Sequence, residues 1–192
     1  MTTVLLVVVL LTLAAVLILA VVVAAMLRSL TRLRAEVERA GAPASGALDA
    51  LNGGLAVGTR APRIEATALD GSPYTGDRWN GALRLVTFAH PGCPPCEDLV
   101  PGLIGGCEDG SLPPAIVVSR GDPAEQPAGW RRPAGRTDLV TERGDEVARR
   151  FESFVTPHVF VVTPEDRIGA RGVATTVKDV YELVARATGG PA

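Results

Sequence analysis

The sequence predicts an α/β sandwich built on a mixed β-sheet, preceded by one N-terminal transmembrane helix. Three observations carry that expectation. Residues 1–27 hold no charged side chain. Beyond residue 58, short apolar runs of strand length alternate with helical patterns, the signature of a sheet with helices packed on it. Between the most apolar of those runs and a helix stands Pro91-Gly92-Cys93-Pro94-Pro95-Cys96, two cysteines three residues apart.

The totals narrow the class of protein. A chain of 192 residues with net charge −2 and a single lysine, Lys178, offers no basic face for a nucleic-acid partner. Three cysteines are too few for a disulfide scaffold. His90 and His158 fall at no zinc spacing relative to them, and the chemistry implies no metal and no cofactor.

Residues 1–27 read as an anchor. Residues 4–27 are apolar apart from Thr12, and two dozen residues at about 1.5 Å each span roughly 36 Å, enough for a bilayer core of about 30 Å. The start lacks the basic region of a cleaved signal peptide. Residues 28–57 form a stalk and linker. Leu27, Leu30, Leu33 and Val37 recur at helical spacing, and a stretch rich in Gly, Ala, Ser and Pro follows. Arg28, Arg32, Arg34 and Arg39 directly after the anchor would, by the positive-inside rule, keep the domain cytoplasmic. A tethered dithiol suits an oxidising compartment instead.

The soluble domain is expected over 58–192. Residues 63–69 alternate apolar and polar side chains into the turn Asp70-Gly71-Ser72-Pro73, with 72–75 as a return strand. Residues 83–89 read as a buried central strand. The following helix puts Leu99, Leu103 and Ile104 on one face, and Pro101 should kink it. Residues 115–119 form the next buried strand, 121–136 a loop with Trp130 at the core edge, and 139–141 a short strand. A short helix over 145–151 turns Val147 and Phe151 inward. Residues 158–163 and 168–173 read as an antiparallel pair, and 177–188 closes the chain as an amphipathic helix with Val180, Leu183, Val184 and Ala187 inward.

The chemistry-bearing residues surround the two cysteines. Cys93 lies at a helix N-terminus, where free N–H groups and the dipole favour a thiolate, and it should be the more exposed sulfur. It is the expected attacking nucleophile. Cys96, one turn on, is the expected resolving thiol. Pro94 and Pro95 pre-set the first helical turn but bring no N–H to the Cys93 sulfur. Fewer donors stabilise the reduced form less, so the pair should act as a reductant or near-neutral exchanger. Thr156-Pro157 ahead of a buried strand is an X-Pro bond that, in the cis form, would present backbone to a docked substrate strand. His90 could stabilise the thiolate or relay a proton. Thr87 is a polar position in a core strand, expected to be satisfied locally. Cys107 lies eleven residues after Cys96, about 16 Å along a continuous helix, too far for a disulfide, and is expected to be a free structural thiol.

Together these residues resemble the thioredoxin superfamily, specifically its membrane-anchored TlpA/ResA-type and MauD-like oxidoreductases. The resemblance runs over 57–187. It rests on Val57-Gly58-Thr59-Arg60-Ala61-Pro62, Leu69-Asp70-Gly71, Gly92-Cys93-Pro94-Pro95-Cys96 with Pro101 beyond, and Thr156-Pro157 before an apolar strand. For MauD-like proteins it also takes in the anchor and the linker over 43–48. It implies a thioredoxin-like fold, Cys93 as nucleophile, Cys96 as resolving thiol, and Pro157 as a cis-proline facing them. It further implies protein clients that are disulfides or dithiols, an upstream membrane thiol donor, and an extracytoplasmic domain. Two positions depart from the thioredoxin pattern. Gly92 stands where an aromatic usually precedes the first cysteine, and Thr87 replaces a buried acid, leaving water, His90 or Glu97 to carry protons. A peroxiredoxin shares the fold, but its Thr/Ser and Pro positions hold His90 and Val86 here. A Cu(I) chaperone would suit paired thiolates but lacks accompanying Met or His ligands.

Overall fold

The computed structural model describes residues 53–131 and 135–189. The expected anchor, the stalk and most of the linker lie outside them. Among the described residues no helix is long and apolar enough to cross a membrane.

The strands are β1 (Ala66–Ala68), β2 (Pro73–Tyr74), β3 (Arg84–Ala89), β4 (Ala115–Arg120), β5 (Thr137–Glu142), β6 (His158–Val162) and β7 (Ile168–Val173). The helices are α1 (Pro94–Glu108), α2 (Glu146–Arg150) and α3 (Val177–Ala187). The strands form one seven-stranded mixed sheet in the order β2-β1-β5-β4-β3-β6-β7. The β3–β4 and β4–β5 pairs are parallel, and the others antiparallel.

β3 lies inside the sheet between β4 and β6, and all six of its residues are buried, as a strand covered on both faces requires. Its alternation sorts the core into two layers. Leu85 and Ala89 face α1 and α3, where Cys96, Leu99, Val100, Leu103, Val180 and Leu183 meet them. Val86 and Phe88 face α2 with Ile116, Val147 and Phe160. In that second layer Phe88, Phe151 and Phe160 form a ring cluster with centroids 5.2 to 5.8 Å apart, the tilted geometry aromatic quadrupoles prefer.

Local signals set the helix ends. Pro94 and Pro95 occupy the first two positions of α1, where an N–H has no partner within the helix. The helix runs from there through Pro101 to Glu108. Thr176 and Asp179 close a reciprocal capping box at the start of α3. α1 and α3 approach closely at Gly102, where a Cβ would stand 2.6 Å from Val177 Cγ2.

β5 departs from the expectation of a three-residue strand over 139–141. It runs six residues, paired on one side with β4 and on the other with β1. The polar Thr137 and Asp138 are drawn in by pairing and by side-chain anchoring. The Asp138 carboxylate accepts from Tyr74 Oη at 2.7 Å, Trp79 Nε1 at 2.7 Å and Arg78 at 3.0 Å. The chain is also docked upstream of residue 58. Gly53 bridges to Ser153, Gly54 N–H donates to the Glu152 carbonyl at 2.8 Å, and Leu55 N–H donates to the Phe151 carbonyl at 3.0 Å.

Candidate active site

The C-terminal end of β3 delivers the chain into His90-Pro91-Gly92. Gly92 takes φ 79°, a left-handed conformation that glycine adopts without steric cost, and the turn sets Cys93 at the N-cap of α1. Cys93 N–H donates to the His90 carbonyl at 3.2 Å. Cys93 and Cys96 are joined as a disulfide with Cα atoms 5.3 Å apart, inside the range such a bond requires. Cys93 is half-buried and Cys96 fully buried, so an incoming sulfur can reach only the first. The N–H groups of Cys96 and Glu97 donate to the Cys93 carbonyl at 2.9 and 3.1 Å, and no backbone group caps the Cys93 side chain.

Across from the disulfide, the Thr156–Pro157 peptide is cis. Its Thr156 carbonyl oxygen and Oγ1 each lie 3.8 Å from Cys93 Sγ. Sixty-three residues of separation close here because β6 pairs antiparallel with β3, setting His158 opposite Phe88. The structure thus brings Cys93, Cys96, Thr156 and Pro157 into one cluster.

The other expected participants are arranged differently. His90 turns its Nδ1 to the Pro91 carbonyl, so its recorded link to Cys93 is through backbone. Glu97 accepts from Gly92 N–H at 3.1 Å, which braces the turn before Cys93. Thr87 is fully buried and, contrary to the expectation of local satisfaction, its Oγ1 has no hydrogen-bond partner. The register explains this, since its lateral neighbours on β4 and β6 are Val117 and Val159. Cys107 is free and buried. Its thiol donates to the Pro113 carbonyl at 3.0 Å, and burial pushes its pKa up to about 11, which suppresses the reactive thiolate.

Two residues beside the site had no role in the sequence reading. His158, directly after Pro157, is 1% exposed. It shares a hydrogen bond of 3.0 Å with the Ser153 hydroxyl and packs on Phe160. Burial, with Arg171 nearby, lowers its pKa to about 4, so it is neutral at pH 7. Phe154 is 75% exposed, two residues before the cis bond. An isolated phenylalanine in a loop gives no periodic signal that would have marked it.

No protein-family model matches the chain. The methylamine utilization protein MauD of Methylobacillus flagellatus is 27% identical over 132 residues, covering 66% of this chain and 62% of that protein. The chain therefore aligns with less than two thirds of that relative's length. The thioredoxin domain of a thiol-disulfide oxidoreductase from Bacteroides vulgatus superposes with TM-score 0.52 at 22% identity, covering 68% of this chain and 99% of that one. A secreted Mycobacterium tuberculosis disulfide oxidoreductase homologous to Escherichia coli DsbE gives TM-score 0.54 at 16% identity, covering 66% and 95%. The described domain has the thioredoxin-like fold of these thiol-disulfide oxidoreductases.

Proposed function

Proceeding from a thioredoxin-like domain, we propose that the protein is a membrane-tethered thiol-disulfide oxidoreductase that exchanges disulfides with protein clients through Cys93 and Cys96. The observation that carries this reading is the paired CxxC at the start of α1 with Thr156 3.8 Å from the Cys93 sulfur. In the reduced protein the Cys93 thiolate attacks one sulfur of a client disulfide, breaking that bond and releasing a client thiolate. Cys96 then attacks the Cys93 sulfur, reforms the Cys93–Cys96 disulfide and releases the second client thiol. Two electrons pass from the chain to the client, and an upstream dithiol donor restores the reduced pair. The backbone of Thr156, exposed beside the disulfide, is the surface on which an extended client segment lies.

The direction is reductive. Cys96 and Glu97 spend their N–H groups on the Cys93 carbonyl, and the two prolines have none, so the thiolate gains little from the helix terminus. The anchor at 1–27 holds the domain at a membrane, with the domain on the extracytoplasmic side, where client disulfides persist.

The test is reduction of insulin disulfides by the full chain with a dithiol donor. We expect catalysis that vanishes in Cys93→Ser. Turnover that persists in Cys93→Ser contradicts the assignment. For sidedness, a membrane-impermeant maleimide should label reduced Cys93 in intact cells, and labelling only after lysis would place the domain on the other side.

A further inference from the structure

A cavity of about 90 Å³ opens beside Thr156, on the sheet face that carries α2. Its lining runs from Ala89, at the end of β3, to Thr156, whose oxygens flank the Cys93 sulfur. It therefore borders the place where a client cysteine must arrive.

The groups around it have a definite sign. Glu142, at the end of β5 and 9% exposed, accepts from the N–H groups of Val147 at 2.6 Å and Ala148 at 3.3 Å. Asp145 binds Arg120 Nε at 2.7 Å. That pair is internally neutral, which leaves Glu142 as the remaining acidic group of the lining, its oxygens held by the α2 N–H groups and its carboxyl pushed above the usual range by burial. Phe154 forms part of the wall while standing 75% exposed, an uncommon setting for a large apolar ring. A carboxylate and an exposed aromatic ring in the lining of one cavity are a combination that receives an organic cation, through charge and the ring quadrupole together. A carboxylate ligand would have to break the Arg120–Asp145 pair and add a second negative group next to Glu142.

We propose that this cavity seats a lysine or arginine side chain of the client polypeptide, close in sequence to the client's redox cysteine, with Phe154 as its aromatic wall and Glu142 as its counter-charge. This rests on the thiol-disulfide exchange reading above and names the class of client that the same site prefers. The bound cation anchors the client segment on the α2 side of Thr156 and turns its cysteine toward Cys93.

The test uses the full chain, reduced, freed of reductant and reacted in single turnover at pH 7.5 with a set of cyclic peptide disulfides. The peptides are identical except for Lys, Gln or Glu two residues from one cysteine. Each reaction opens one peptide disulfide and forms one Cys93–Cys96 bond, so no other reductant enters. The rate constants should fall in the order Lys, Gln, Glu by about threefold per step, the size expected of partly exposed charge pairing, and the spread should shrink at 0.5 M salt, at which exposed charges are screened. Phe154→Ala should reduce the Lys-over-Gln ratio. Asp145→Asn, which suits the left-handed backbone at φ 53°, frees Arg120 and should flatten or invert the Lys-over-Glu ratio. Equal rate constants for all three peptides, or a preference for Glu, overturn the cation site while leaving disulfide exchange intact. A Lys preference unchanged in both variants overturns it as well. No reaction with any peptide removes the exchange reading and the cation site with it.

Discussion

Restoring a single backbone donor at Pro95 should make the dithiol measurably more oxidising. With Cys93 as N-cap, the N–H groups that normally bond the N-cap side chain belong to the second and third helical positions. Here those are Pro95, which has none, and Cys96, whose N–H donates to the Cys93 carbonyl at 2.9 Å. Pro95→Ala supplies the missing donor without changing charge. A hydrogen bond to an ionised group contributes about 1.5–3 kcal/mol, and Cys93 is half-buried, so water already provides part of it. A net gain of about 1 kcal/mol for the thiolate, at 30 mV per 1.4 kcal/mol for a two-electron couple, raises the reduction potential by about 20 mV. The gain favours the reduced state only where Cys93 is ionised, so it should fade as pH falls. Equilibration against glutathione buffers, read by thiol alkylation and gel shift, measures it. The wild-type potential should lie below about −150 mV, away from strong oxidants near −120 mV. A Pro95→Ala potential equal to or below wild type, in a folded protein, refutes the reasoning.

Two further outcomes follow from buried groups. His158 has an ordinary value of 6.5 when unfolded and about 4 in the fold, so the unfolded chain binds the extra proton between those pH values. Its contribution is fully present above pH 6.5 and is lost as pH falls toward 4, amounting to about 3 kcal/mol. Urea unfolding across pH 4 to 7 should show a smaller pH slope in His158→Gln than in wild type, and an unchanged slope would deny the buried neutral imidazole. Cys107, buried and bonded to Pro113, should resist Ellman's reagent until the protein unfolds. Cys107→Ala should keep client reduction within about twofold of wild type, and a larger loss would give that thiol a redox role.

The buried strand β3 and the CxxC turn were legible because each has a local cause: six apolar-dominated residues and a Pro-Pro helix start. The cis form of Thr156–Pro157 followed from the resemblance, since an X-Pro bond before a strand is equally compatible with trans. What escaped depends on pairing between distant segments. β5 gains Thr137 and Asp138 only because β4 and β1 flank it and Tyr74, Trp79 and Arg78 converge on Asp138. Thr87 is left without a partner by lateral neighbours that its own segment does not encode. His158 looked like an ordinary strand start, yet its burial and its bond to Ser153 come from the loop that carries Thr156. Residues 53–55 read as linker by composition, but their backbone groups pair with Phe151, Glu152 and Ser153.

The most direct test of the exchange mechanism is trapping. Cys96→Ala in the full chain should leave Cys93 unable to resolve its adduct, so a client protein accumulates as a mixed disulfide that mass spectrometry places on Cys93. The adduct should disappear on treatment with dithiothreitol and in the Cys93→Ser, Cys96→Ala double variant. Failure to trap any protein on Cys93, or adducts that map to Cys107, would contradict the account.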